Sequence, residues 1–189
     1  MSRDGDELRI GFLTAVQTRD HAFVGGLLVT DRFGRPLEFQ CTTPVKPNRT
    51  QELLYGPTLE PFILGDLLGK ALLARIGVKP TLVVTDRSEM LALRNIVSVP
   101  VVTLCGDRVP DAAPTGNAAP TGNIESDPLE VTIGQHRFRA HDDFASDVMR
   151  VAGLTKKLAS DANLQEPLER VADALKETMA TVSAKPRVA

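Results

Sequence analysis

The chain has 189 residues, which fits one domain of ordinary size or one domain with an appendage. Its 22 Lys and Arg against 24 Asp and Glu give a net charge of −2, which excludes the strongly basic class of general nucleic-acid binders. No apolar run approaches the roughly 20 residues that span a bilayer, and the N-terminus, MSRDGDEL, has no signal-peptide core. We therefore expect a cytoplasmic protein without a membrane partner.

The first part of the chain predicts three consecutive antiparallel strands, over residues 8–15, 23–30 and 37–42. Gly25 and Gly26 in the second strand predict a bulge or a close backbone approach. The loop that follows predicts a hairpin with Gly34 at positive φ.

A helix is predicted over residues 59–76, where apolar residues recur at helical spacing. Gly65 and Gly69 each cost about 1 kcal/mol relative to Ala in a helix interior, so the pair indicates another backbone close by. Ordinary packing of the helix on a sheet is the alternative explanation. Gly77, followed by Lys79 and Pro80, ends the helix.

Two buried parallel strands are predicted next, at residues 81–85 and 99–104, because both are continuous apolar and β-branched runs. Residues 87–95 between them have room for one short crossover helix, and the crossover is expected to be right-handed. This helix–strand–helix–strand unit is the centre of the predicted fold.

A low-complexity segment separates this unit from the rest of the chain. Residues 112–123 read AAPTGN twice, within a stretch rich in Pro, Gly, Asn and Ala. The expected organisation is therefore an α/β core at 1–105, a flexible linker at 106–128, and a hairpin with two helices at 129–189. We expect the last part to pack back on the core, since about 60 residues bury little surface alone.

The final part alternates at residues 129–133 and 136–140, which predicts a hairpin, and two amphipathic helices follow. The first helix starts near Asp142 and Asp143, and the second follows Asn163. The apolar stripe of the second helix could pack within the chain or against another protein or a second copy. Binding of a protein partner or self-association through these helices is the predicted interaction.

Few residues indicate chemistry. Lys46, Arg49 and Thr50 flank the start of a short helix and could hold an anion. A solvated connector is the simpler explanation, with a turn that Asn48 or Thr50 caps and a capping box completed by Gln51. Cys41 and Cys105 lack metal-ligand spacing and are expected to be structural thiols at strand ends.

Three segments carry a resemblance to a known family. Residues 61–67, PFILGDL, open the long helix; residues 80–86, PTLVVTD, end a strand in an aspartate; residues 99–102, VPVV, open the next strand at a proline. In this order, after three meander strands, they resemble the ribonuclease-H-like fold and the layout of endonuclease V over residues 8–105. The resemblance implies an α/β (α+β) mixed sheet of three antiparallel and then two parallel strands with crossover helices.

The resemblance also implies metal-binding carboxylates, and this sequence retains one of them. Asp86 matches a metal ligand of the family in position. The family's first-strand aspartate has no counterpart in residues 10–14, and its helix glutamate would fall near Lys70 and Ala71, where Asp66 is the nearest carboxylate. Two-metal hydrolysis needs several carboxylates around ions about 4 Å apart.

Asp86 has two further interpretations. A carboxylate past the end of a buried parallel strand lies where such sheets open a ligand crevice, which Asp107 could also join. Asp86 could instead cap the following helix, with Glu89 three residues later.

Two hypotheses follow. The first is a non-enzymatic cytoplasmic scaffold with a degenerate ribonuclease-H-like core, which needs no cofactor and acts through protein contacts. The alternative is a nuclease or phosphodiesterase dependent on Mg²⁺ or Mn²⁺, with carboxylates from Asp86, Asp66, Glu89 and Asp142 or Asp143. Charge does not point to nucleic acid, though it does not exclude it. An Asp86→Asn variant with an unchanged cleavage rate would eliminate the alternative.

Overall fold

The computed structural model describes residues 8–105 and 127–184, with only the backbone described over 181–184. The N-terminal heptapeptide, Asp107 and the repeated AAPTGN lie outside these ranges. The three-part domain division therefore stays a prediction.

A seven-stranded mixed sheet runs through the described chain in the order β3-β2-β1-β4-β5-β7-β6. β1, β4 and β5 are parallel, and all other neighbours pair antiparallel. The strands are β1 (Ile10–Gln17), β2 (Phe23–Thr30), β3 (Pro36–Cys41), β4 (Leu82–Thr85), β5 (Val101–Leu104), β6 (Glu130–Ile133) and β7 (His136–Ala140).

The predicted ribonuclease-H-like sheet is confirmed, including the three-strand meander, the two parallel strands and the C-terminal hairpin. β7 joins β5 in the same sheet, with Phe138 opposite Leu104 and Ala140 opposite Val102. Gly34 has a φ of 76°, as its hairpin position predicts.

Helices cover both faces of the sheet. On one face lie α2 (Leu59–Pro61), a π-helical segment (Phe62–Gly69) and α3 (Lys70–Arg75), which together form the central helix over 59–75 and are followed by a 3₁₀ helix (Ser88–Asn95) before β5. On the other face lie α4 (Ser146–Thr155) and α5 (Glu166–Ala184). The short α1 (Arg49–Tyr55) has no buried residue.

Adjacent glycines in β2 let both helical layers approach the sheet. A Cβ on Gly25 would lie 3.1 Å from Leu68 Cβ of the central helix, whereas a Cβ on Gly26 would lie 2.8 Å from Val171 Cγ1 of α5. Successive residues of a strand face opposite sides, so Gly25 leaves space for the central helix and Gly26 leaves space for α5. The predicted close approach is therefore present, and the bulge occurs elsewhere, at Val29 and Thr30.

Gly65 and Gly69 face the 3₁₀ helix. A Cβ on Gly65 would lie 3.0 Å from the backbone nitrogen of Leu93, and one on Gly69 would lie 2.9 Å from Leu93 Cδ2. The glycine pair therefore admits a neighbouring backbone, as its spacing predicts. The π-helical turns in this segment were not predicted; they follow Pro61, which lacks the N–H of a regular helix.

The stripe of α5 is used within the chain. Leu168, Val171 and Leu175 are buried against the sheet, and α5 crosses β1 and β2. These residues are therefore not available to a protein partner or to a second copy, and the predicted interaction through the C-terminal helices has no support in this packing.

Candidate active site at the carboxyl ends of the parallel strands

The candidate site is formed where β1 and β4 run side by side. Leu13 lies opposite Thr85 in the parallel register, so Thr14 and Asp86 follow next to each other. The Thr14 hydroxyl Oγ1 donates a hydrogen bond to Asp86 Oδ1 at 2.6 Å. This contact joins residues 72 positions apart at the end of the sheet where α/β proteins open their ligand crevices.

The two members of the pair differ in exposure. Thr14 is 2% exposed, whereas the Asp86 residue is exposed. Within the described residues, Thr14 is the only group that donates a hydrogen bond to Asp86. Asp86 Oδ1 is thus held by the buried Thr14 hydroxyl, and Oδ2 is available to bind a ligand or a water molecule.

Asp86 does not cap the helix that follows, so the capping interpretation is wrong. The 3₁₀ helix begins after Arg87 without a side-chain cap. The Arg87 N–H instead donates to Thr85 Oγ1 at 3.1 Å. The contact with Thr14 turns the Asp86 carboxylate towards β1, away from the first turn of that helix.

The other predicted carboxylates are not gathered around Asp86. Thr14 lies on the same face of β1 as Ile10 and Phe12, and this face is covered by α4 and α5. Asp66 lies half-buried on the central helix, which covers the opposite face. Glu89 lies in the 3₁₀ helix and pairs with Arg87 at 3.9 Å.

Asp142 and Asp143 lie at the other end of the sheet. They follow β7, which runs antiparallel to β5 and so ends at the amino end of the parallel strands. Asp142 pairs with Arg139 at 3.0 Å, and the Asp143 N–H donates to His141 Nδ1 at 3.1 Å. Neither residue can join Asp86 in one site.

The predicted Mg²⁺ or Mn²⁺ site does not fit these residues. Within 8–105 and 127–184, no group of three or more His, Cys, Asp or Glu side chains is arranged to hold a metal ion. Asp86 is joined by a threonine hydroxyl where two-metal chemistry needs further carboxylates.

Cationic side chains lie in loops at the same end of the sheet. Arg19 lies in the exposed turn after β1, Arg87 follows Asp86 directly, and Lys46 adjoins Val45, which bridges to Phe23 at the start of β2. Lys46 lies 3.9 Å from Asp20. The Thr18 hydroxyl, followed by the backbone of Asp20 itself, lowers the pKa of Asp20, which keeps that carboxylate charged beside Lys46.

The predicted anion site at Lys46, Arg49 and Thr50 remains a prediction. The capping box is present, because Asn48 Oδ1 accepts from the Gln51 N–H and Gln51 Oε1 accepts from the Asn48 N–H. Arg49 Nη1 contacts Glu52 at 3.1 Å. The box and the ion pair already occupy several groups that would bind an anion.

Cys41 and Cys105 are the two cysteines of the chain, and burial disfavours nucleophilic chemistry at Cys105. Both are free and half-buried. Burial, with a contribution from the charge of Glu130, raises the pKa of the Cys105 thiol and so lowers the fraction of reactive thiolate at neutral pH.

Thr14 is the site residue that sequence reasoning missed. The family resemblance implies an aspartate in the first strand, and a threonine in a buried strand does not by itself indicate a site. A usable signal was present in the alternation, because Thr14 is the polar position in a run whose neighbours Phe12 and Val16 face the core. The partner of Thr14 becomes known only from the register of β1 against β4.

The fold is similar to that of a solved endonuclease V from Ciona intestinalis. That structure, a complex with a 24mer DNA containing an inosine followed by a ribo-adenosine, aligns with a TM-score of 0.51 at 12% identity over 95% of this chain and 89% of that chain. A second Ciona complex, with a 23mer DNA, aligns with a TM-score of 0.47 at 12% identity over 93% and 88%. No protein-family model and no curated protein matches the sequence.

The chain has an endonuclease V-like fold. The hypothesis of a non-enzymatic scaffold is contradicted, since this fold is similar to that of an endonuclease V solved in complex with DNA. Among the described helices, none combines the length and apolar character needed to cross a membrane.

Proposed function

We propose that this protein hydrolyses phosphodiester bonds in nucleic acid, with Asp86 as the catalytic carboxylate and Thr14 as the residue that positions it. The observation that carries the proposal is the 2.6 Å hydrogen bond between the two side chains at the carboxyl ends of β1 and β4. The endonuclease V-like fold supplies the expectation of a nuclease.

Asp86 has the arrangement of a general base. Thr14 holds Oδ1, so Oδ2 can accept a proton from a water molecule, whose oxygen then forms a bond to phosphorus. The bond from phosphorus to the leaving oxygen breaks, and that oxygen takes a proton from solvent. General-base catalysis of this kind contributes about 10²–10⁴-fold to a rate.

Binding of the substrate is assigned to the basic side chains at the same end of the sheet. Arg19, Lys46 and Arg87 lie in loops at that end, and we assign them to contact phosphate oxygens of a strand that passes over Asp86. Three phosphate contacts can hold a short stretch of nucleic acid at the site. They do not require the extended basic surface that the net charge of −2 excludes. Since the described residues form no metal site, no step is assigned to Mg²⁺ or Mn²⁺.

The test is cleavage of end-labelled DNA and RNA, single-stranded and duplex, with and without deoxyinosine. Each substrate is assayed with Mg²⁺, with Mn²⁺ and with a chelator. We expect cleavage by the wild type, a loss of about 10²-fold or more in Asp86→Asn, and near-normal cleavage in the control Asp66→Asn. No cleavage by the wild type, or equal cleavage by Asp86→Asn, would overturn the proposal.

Thr14 requires a separate test, because a positioning residue has to be distinguished from a structural one. Thr14→Ser keeps the hydroxyl and should retain most of the activity, whereas Thr14→Val should lower kcat about tenfold with KM unchanged. A fall in Thr14→Val that Thr14→Ser does not rescue would assign Thr14 to packing alone.

A further inference from the structure

The strand β3 ends the sheet on one side, and within the described chain no strand pairs with its outer edge. Leu37 and Phe39 on this strand are 45% and 38% exposed. Edge strands are templates for pairing with another chain, and most proteins shield them with charges, bulges or covering segments. The exposed edge of β3 therefore needs an explanation.

The backbone register shows which groups the outer edge presents. The Thr42 N–H donates to the Gly25 carbonyl at 2.9 Å, and Gln40 and Glu38 lie opposite Leu27 and Val29 in the same register. In an antiparallel pair, hydrogen-bonded residues alternate with unbonded ones. The N–H and C=O groups of Gln40 therefore point to β2, and those of Phe39 and Cys41 point outward.

The single charge on β3 does not shield this edge. The Glu38 carboxylate accepts hydrogen bonds from the Gly77 N–H at 2.9 Å and the Val78 N–H at 2.7 Å. It is thus held on the side of the central helix. Pro36 and the bulge next to Val29 limit pairing only at the start of the strand, and the stretch from Glu38 to Thr42 is regular.

The opposite edge of the sheet differs. β6 has four residues, and its apolar Val131 and Ile133 are buried. The residues between and before them are polar, and Glu130 pairs with Arg137 at 3.6 Å. Within residues 8–105 and 127–184, only the β3 edge of the sheet therefore carries an exposed apolar strip.

We propose that two copies of this chain dimerise by antiparallel pairing of their β3 strands about a twofold axis at Gln40. In this register Phe39 lies opposite Cys41 of the second copy, so their outward backbone groups form four hydrogen bonds. Gln40 faces its own counterpart and Glu38 faces Thr42, so no like charges are opposed. The exposed Phe39 side chains then pack over the shared strand pair on the α5 face.

The contact is isologous, as a twofold dimer requires, and it joins the two sheets into one. Because four backbone bonds and a few side chains bury little surface, we expect weak, concentration-dependent association. The inference is independent of the proposed hydrolase activity, since β3 lies two strands from β1 and the Asp86 site.

The first test is sedimentation of the full chain over a wide concentration range, with two charge variants. Phe39→Lys places a charge on the free edge, and Thr132→Lys places the same charge on the exposed side of β6. We expect a reversible dimer for the wild type and Thr132→Lys, and a dissociation constant raised about tenfold or more for Phe39→Lys. A monomeric wild type at every concentration, or an unchanged dimer in Phe39→Lys, would overturn the proposal.

The second test determines the register in which the two β3 strands pair. Under oxidising conditions, Phe39→Cys should form a disulfide-linked dimer with Cys41 of the second copy, because Cα atoms of hydrogen-bonded pairs lie about 5.5 Å apart. The combined Phe39→Cys and Cys41→Ser variant should lose most of this product. Equal cross-linking with Cys41 replaced would contradict the register centred on Gln40.

Discussion

Two carboxylates at different places in the sheet show how this chain divides its charges between structure and chemistry. Asp86, at the carboxyl ends of the strands, is exposed and receives one hydrogen bond, from Thr14. Asp147 in α4 is 3% exposed and pairs with Arg94 at 2.5 Å. Among the described residues, one oxygen of Asp86 therefore has no protein donor, whereas both oxygens of Asp147 accept hydrogen bonds from Arg94.

The region around Asp147, here called the Arg94 junction, comprises Arg94, Val97, Phe144 and Asp147. Arg94 donates to both oxygens of Asp147 and to the Val97 carbonyl at 2.7 Å, and its guanidinium lies 4.0 Å from the Phe144 ring centre. It connects the 3₁₀ helix to α4. Satisfied buried charges hold a fold together, whereas a carboxylate with a free oxygen is available for catalysis.

The largest loss in the free energy of unfolding is expected from Asp147→Ala. It leaves the Arg94 guanidinium, 13% exposed, without its counter-charge, and breaking a buried pair from one side costs about 3–5 kcal/mol. Urea unfolding followed by circular dichroism measures the loss. The double variant Arg94→Met with Asp147→Leu should recover most of it; a double variant as unstable as the single one would show that the ion pair is not the cause.

Two glycine substitutions extend the comparison from charges to packing, one at a glycine that faces the same 3₁₀ helix and one at a glycine with open space around it. Gly65→Ala forces a methyl group to 3.0 Å from the Leu93 nitrogen and should destabilise by about 1–3 kcal/mol. Gly153→Ala in α4 is the matched control, since nothing lies within 4 Å of its Cβ, and it should stabilise by about 0.5–1 kcal/mol. Thermal unfolding of both variants checks the opposite signs; equal signs would contradict the assigned contact.

Asp86→Asn should change the free energy of unfolding by about 0.5 kcal/mol or less, as exposed substitutions outside structural networks usually do. The same denaturant titration used for Asp147→Ala gives this value. A loss comparable to that of Asp147→Ala would place Asp86 among the structural charges and remove the contrast.

The smallest change in the free energy of unfolding is expected from Glu38→Gln, and it appears only at low pH. The N–H of Val78, then Gln40 and the N–H of Gly77, lower the pKa of Glu38 from its ordinary 4.5. A lowered pKa contributes stability above the unfolded-state value, and that stability is lost as the pH falls through the folded pKa. Glu38→Gln should therefore flatten the acid limb of the stability profile. An identical acid limb in both proteins would show that this carboxylate contributes nothing.

The sequence by itself determined the local elements and much of their order. Continuous β-branched runs indicate buried parallel strands, Gly65 and Gly69 indicate a close neighbour, and the Asn48 capping box is legible from spacing alone. These features depend on contacts over a few residues or on burial that covers a whole strand. Connection rules then predict the three-strand meander and the parallel strand pair, whereas the endonuclease V-like layout is what the resemblance of residues 61–67, 80–86 and 99–102 implies.

Only the tertiary structure decided which side chains meet. The contact of Thr14 with Asp86 spans 72 positions and depends on the register of β1 against β4, two strands that are far apart in the sequence. The Arg94 junction likewise joins residues 53 positions apart, and the engagement of Glu38 by Val78 leaves β3 unshielded. A one-residue shift in register would reverse the face of every side chain in a strand, and local sequence does not record that choice.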